Sequence, residues 1–138
     1  MNSATLTAAH DLVRITLDPV KGRCVVAAGD IAKGTRILAD PVVVVPAAEK
    51  ELMDRTVLGR YVFEWDDGVI CAVLGLGSLI NHAPDANVEL VSNFDDHTMD
   101  FLAVRDIAAG EEIVYDYGHE TDELESYYGI PRDDGARG

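Results

Sequence analysis

The chain has 138 residues, 48% hydrophobic and 26% charged, with 11 Lys and Arg against 25 Asp and Glu for a formal net charge of −14. That balance suits one globular domain with one core, and excludes a disordered tail, a collagen-like fibre and a coiled coil. A surface this acidic repels phosphate backbones, so direct nucleic-acid binding is disfavoured; it attracts basic protein segments, although solubility alone would also account for it.

Residues 1–14 carry no basic stretch followed by a long apolar run, so no secretory signal is read. No apolar run approaches the roughly 20 residues of a membrane span. Cys24 and Cys71 form no C-x-x-C pair and cannot build a disulfide framework or a four-ligand zinc site. A reduced, cytoplasmic setting is therefore expected.

Taken in chain order, the apolar stretches are short and rich in β-branched residues. Alternation over 12–17 predicts a first strand. Short runs follow at 24–28, at Ile37-Leu38 and at 41–46, the last with four valines between two prolines. A helix is predicted from Ala47 to about Gly59. Asp66-Asp67-Gly68 is a hairpin turn signal between strands at 61–65 and 69–74. Strands at 88–91 and 99–104 flank the polar turn 92–98, and 113–117 is a last strand. Asp122, with Glu125 three residues on, opens a second predicted helix over 122–128. Many short strands with few helices predict a mostly β architecture.

One segment occurs twice. Asp30-Ile31-Ala32-Lys33-Gly34-Thr35-Arg36-Ile37 and Asp106-Ile107-Ala108-Ala109-Gly110-Glu111-Glu112-Ile113 share D-I-A-x-G-x-x-I. The pattern predicts two similar strand–turn–strand corners, each with a glycine at positive φ.

Two segments are dense in site chemistry. Gly75-Leu76-Gly77-Ser78-Leu79-Ile80 leads into Asn81-His82, then a turn with Pro84 and Asp85. Asn and His supply donors and acceptors that suit a polar, planar ligand; the plain alternative is a turn capped by Asn81. In 110–118, Tyr115 and Tyr117 fall on one face of a strand and Asp116 on the other. Two such phenols suit a slot for an alkyl-ammonium group; the plain alternative is two core tyrosines. His82, Asp85, Asp95, Asp96, His97 and His119 are metal-ligand types, but none has helical ligand spacing, so no metal is expected. Ser78 lacks the G-x-S-x-G elbow of a serine hydrolase. Cys24 has no evident base and reads as a small buried residue.

Asn81-His82-x4-Asn87, its apolar lead-in, and Gly110-Glu111-Glu112-Ile113-x-Tyr115-Asp116-Tyr117-Gly118 together resemble the SET domain of protein lysine methyltransferases. Lys21-Gly22-Arg23-Cys24-Val25-Val26-Ala27 resembles that family's N-terminal segment. The resemblance spans 12–118 in the family's order, and the chain is similar in size to the minimal stand-alone viral and bacterial members. It implies a mostly β, SET-like β-clip fold: small curved sheets, a C-terminal pseudoknot and one or two short helices. Residues 1–131 would form a single domain, with 132–138 a frayed tail.

The resemblance also implies S-adenosylmethionine as cofactor. Gly22, Arg23 and Cys24 would border its methionyl end, the Asn81 side chain would hold the amino-acid portion, and His82 backbone groups would bind adenine. Tyr117 would be the catalytic tyrosine and adjoin the cofactor. Tyr61, Tyr115 and Tyr117 would line the substrate-lysine channel. Tyr115 stands where members carry Phe or Tyr, which implies mono-methylation. The partner would be a basic protein or peptide of histone-like or ribosomal type, and a homodimer is compatible with the family. A non-catalytic SET-like or other β-clip binding module is the alternative.

The sequence departs from the family pattern in places. Cys24 stands where a second glycine is usual, Ala83 replaces the Ser or Cys after Asn-His, and Ala86 replaces a Pro. No cysteine-rich segment follows Gly118, so the helix at 122–128, through Tyr127 or Tyr128, is expected to cover the adenine.

Overall fold

The computed structural model of the chain describes residues 12–117. Two antiparallel strands, β1 (Val13–Asp18) and β2 (Gly22–Ala27), form a first hairpin. Its turn is held by Asp18, whose carboxylate accepts the N–H groups of Val20 and Lys21. Those two bonds, the Lys21 one first, hold the Asp18 carboxyl below its usual range.

Five antiparallel strands make the main sheet, in the order β4 (Val62–Asp66), β5 (Val69–Val73), β3 (Arg36–Val44), β8 (Thr98–Ala103), β7 (Val88–Asn93). The hairpin predicted across Asp66-Asp67-Gly68 is the β4–β5 pair. The runs expected separately at 37–38 and 41–46 are one strand, β3. Its first part pairs with β8 as far as Pro41, opposite Thr98, and its second part pairs with β5 from Val42. Proline has no N–H to donate, and here it stands where β3 exchanges one partner for the other. The sheet curls, because Trp65 on β4 packs against Phe94 of the β7–β8 turn, with ring centroids 5.0 Å apart. β4 and β7 are the opposite edges of the strand order.

The helix expected over 47–59 is broken into three pieces. A 3-10 turn (Ala47–Glu49) precedes the five-residue helix α1 (Lys50–Asp54), and a second 3-10 turn spans Val57–Tyr61. Thr56 is extended, and its hydroxyl donates to the Met53 carbonyl at 2.9 Å. A threonine hydroxyl bonding back to the preceding turn competes with helical continuation, and α1 buries no residue whose packing would offset that. Among the described residues no helix is long and apolar enough to cross a membrane. The helix expected over 122–128 and the tail 132–138 lie outside the described residues.

The repeated corners pair with each other. The Ile31 N–H donates to the Ile107 carbonyl and the Ile107 N–H to the Ile31 carbonyl, both at 2.8 Å. The Asp30 carboxylate accepts the Ala109 N–H at 2.9 Å, and the Asp106 carboxylate accepts the Lys33 N–H at 2.8 Å. The Gly34 N–H reaches the Ala103 carbonyl, and the Gly110 N–H reaches the Ala27 carbonyl, again both at 2.8 Å. Each bond has its counterpart, so a local two-fold relates the corners. Gly34 and Gly110 have φ of 90° and 83°, values costly for a residue with a Cβ. Ile31, Ile37, Ile107 and Ile113 from the corners join Val25, Met99 and Phe101 in the core. This clamp draws residues 105–113 back onto β2 and delivers the next segment to its destination.

Candidate active site

That segment is β9 (Val114–Tyr115), which pairs in parallel with β6 (Asn81–His82), Asn81 opposite Val114 and His82 opposite Tyr115. Two residues per strand form a weak ladder, and side chains reinforce it. Asn87 is fully buried. Its amide oxygen accepts the Val114 N–H at 2.9 Å, and its amide nitrogen donates to the Glu112 carbonyl at 2.7 Å. His82, also buried, accepts the Tyr117 N–H on Nδ1 at 3.0 Å. That bond needs Nδ1 unprotonated, so the neutral ring carries its proton on Nε2.

The approach to β6 is pinned from beneath. The buried Asp40 carboxylate accepts the Gly77 N–H at 2.8 Å in the 3-10 turn Leu76–Leu79. A Cβ at Gly77 would collide with the Phe101 ring, and one at Gly75 with the Asp40 carboxylate. Glycine at both positions is therefore a matter of space.

The Tyr117 hydroxyl donates to the Ile80 carbonyl at 2.8 Å. Ile80 is the residue before Asn81, so the phenol is held on the backbone that leads into β6. The Asn81 amide nitrogen donates to the Arg23 carbonyl at 3.0 Å and to a Glu112 carboxylate oxygen at 2.8 Å. The second Glu112 oxygen pairs with the Lys21 ammonium at 2.6 Å. Cys24 is buried, with its sulfur 3.6 Å from the same amide nitrogen. Burial first, and the Glu112 charge second, raise the Cys24 thiol from about 9.0 to about 11. It stays neutral at pH 7 and is no nucleophile.

The rings form a continuous series. Phe101 meets Phe63 edge-on at 6.3 Å, and Phe63 stacks on Tyr115 at 5.7 Å and 20°. Tyr115 lies 4.6 Å from Tyr117, which lies 5.0 Å from His82. A wall of aromatic faces thus runs from the core through Tyr115 to Tyr117 and His82 at the β6–β9 pair.

A family model described as the SET domain matches residues 22–118. The chain belongs to the SET-domain family. This SET domain is 33% identical over 99 residues to the histone-lysine N-methyltransferase, H3 lysine-37 specific, of Schizosaccharomyces pombe, covering 71% of this chain and 67% of that one. Among solved structures it resembles CpSET8 from Cryptosporidium (28% identity, TM-score 0.66, 85% of this chain and 62% of that one). It also resembles a Plasmodium falciparum protein (25% identity, TM-score 0.62, 80% of this chain and 96% of that one).

In this SET domain Gly22 and Arg23 are exposed at the start of β2, and only their neighbour Cys24 turns inward. Asn81, His82, Tyr115 and Tyr117 come together through the β6–β9 pair. Tyr61 is 39% exposed at the end of its 3-10 turn, two residues before Phe63. Tyr127 and Tyr128 lie outside the described residues. Sequence reading did not single out Phe63, Asp40 or the side-chain contacts of Glu112. A carboxylate repeated in Gly110-Glu111-Glu112 was the available signal for Glu112; alternation from Tyr61 was the signal for Phe63. Among the described residues no three His, Cys, Asp or Glu side chains form a group that could hold a metal ion.

Proposed function

We propose that this SET domain transfers a methyl group from S-adenosylmethionine to the side-chain amine of a lysine in a basic protein. The observation that carries the reading is the Tyr117 hydroxyl held on the Ile80 carbonyl beside Asn81. The residues fit the cofactor: both hydrogens of the Asn81 amide are committed to protein acceptors, which leaves its oxygen as an acceptor for an ammonium group. Asn81 and His82 would hold the cofactor, with Gly22, Arg23, Cys24 and Tyr117 at its border.

When bound, S-adenosylmethionine supplies an electrophilic methyl group on a sulfonium. The protein's task is alignment and dryness. A free lysine ammonium has pKa about 10.4, and only the neutral amine has a lone pair. The rings of Phe63, Tyr115 and Tyr117 replace water around it, and desolvation disfavours the charged form. The Tyr117 proton is directed to the Ile80 carbonyl, so its oxygen is an acceptor that orients the amine N–H. No dedicated general base is required of the chain.

Tyr115 brings a hydroxyl where a Phe would leave room, which supports mono-methylation. The charge of −14 supports a Lys- and Arg-rich substrate such as a histone-type tail. The parallel pairing of β9 with β6 supports a C-terminal pseudoknot.

The test is transfer of labelled methyl from S-adenosylmethionine to basic peptides. Transfer by the natural protein, with Tyr117→Phe at about 1% of that rate and S-adenosylhomocysteine binding retained, is the expected result. Saturable cofactor binding with no transfer to any basic substrate would favour the binding-module alternative. Near-normal turnover of Tyr117→Phe would remove that residue from catalysis.

A further inference from the structure

Glu112 joins Lys21 and Asn81, and nothing in the proposed reaction uses it. Its two oxygens are divided: one takes the Lys21 ammonium at 2.6 Å, the other the Asn81 amide nitrogen at 2.8 Å. The group is part-buried, with side-chain exposures of 30% for Lys21 and 21% for Glu112. An amide can turn over and present either its oxygen or its nitrogen. Here both acceptors facing Asn81, the Arg23 carbonyl and the Glu112 carboxylate, demand the nitrogen. Without Glu112, only the Arg23 carbonyl and the weakly accepting Cys24 sulfur would hold the orientation. Lys21 keeps further N–H donors beyond the one given to Glu112. The Asn81 amide oxygen as acceptor and the Lys21 ammonium as donor match the charge pattern of an α-amino acid.

We infer that Glu112 is a positioning residue for the amino-acid end of the cofactor: it fixes which way the Asn81 amide faces and holds Lys21 beside it. The inference rests on the proposed cofactor and concerns residues of this chain alone.

The test compares two ligands by calorimetry and displacement: S-adenosylhomocysteine, which has the amino-acid end, and methylthioadenosine, which lacks it. Glu112→Ala is expected to weaken S-adenosylhomocysteine about tenfold, the scale of losing one charge-assisted hydrogen bond, and to change methylthioadenosine less than twofold. Glu112→Gln keeps an acceptor for the Asn81 amide and should recover part of the loss, while Lys21→Met should weaken only the full ligand. Unliganded thermal midpoints report folding separately. Equal weakening of both ligands, or no weakening of either, overturns the role of Glu112 and leaves the cofactor reading standing. Failure of the natural protein to bind S-adenosylhomocysteine overturns the cofactor reading itself, and this inference with it.

Discussion

Replacing Asn87 with alanine removes the bracket that holds β9 in place. The side chain is fully buried and satisfies two backbone groups, the Val114 N–H at 2.9 Å and the Glu112 carbonyl at 2.7 Å. Alanine leaves both without that partner. A buried unsatisfied group costs about 1–3 kcal/mol, and a carbonyl, which has two lone pairs and tolerates under-satisfaction better than an N–H, falls at the low end. The sum is about 2–4 kcal/mol, a large share of the 5–15 kcal/mol typical of a domain. The melting midpoint should fall by about 6–14 °C for a chain of this size. Urea unfolding followed by circular dichroism measures the loss directly, and an unchanged m-value would show that the two-state transition survives. Asn87→Asp sharpens the test. It keeps an acceptor for Val114 but sets a second anionic oxygen against the Glu112 carbonyl and near the Glu111 carboxylate, which is 3.4 Å from the present amide nitrogen. At neutral pH it should be no better than alanine, and it should recover as the new carboxyl protonates. A loss below about 1 kcal/mol for Asn87→Ala, or a neutral-pH Asn87→Asp as stable as the natural protein, would refute the reasoning.

Tyr115→Phe removes the hydroxyl while keeping the stack on Phe63, so mass spectrometry of the product should show more di- and trimethyl-lysine; an unchanged product distribution would refute the crowding argument. Burial raises both thiols, Cys24 and Cys71, from about 9.0 to about 11. The folded chain therefore keeps protons that the unfolded chain releases, so stability is whole below pH 9 and declines as pH rises toward 11. Replacing both cysteines with alanine should flatten that alkaline decline in a pH series of urea midpoints. Asp30→Ala and Asp106→Ala each release one corner N–H, of Ala109 and Lys33. Each should cost about 0.5–1.5 kcal/mol. The two costs should agree within about 0.5 kcal/mol, and the double variant should reveal coupling across the shared clamp. Widely different single costs would contradict the local two-fold.

Much of this protein is written along the chain. Alternation and turn residues mark β1, the β4–β5 hairpin and the β7–β8 pair, because strand period and turn chemistry are local properties. The spacing of Tyr115 and Tyr117 predicts a shared strand face; the strand expected over 113–117 is only Val114–Tyr115, and the fold beyond it still brings the two rings to 4.6 Å. The duplicated D-I-A-x-G-x-x-I shows two like corners, each with a glycine where φ is positive. Tertiary structure alone decided that the corners clasp one another, since Ile31 and Ile107 exchange hydrogen bonds over a long stretch of chain. It also decided that β3 runs through Pro41, because a missing N–H is harmless only where the strand changes partners. The helix over 47–59 failed because propensity needs a packed face, and α1 has none. The contacts of Asn81 with Arg23 and Glu112 were hidden on the same principle. Sequence determines which groups the chain can offer; only closure of the fold, driven by burial of the isoleucines and Phe101, determines which donor meets which carboxylate.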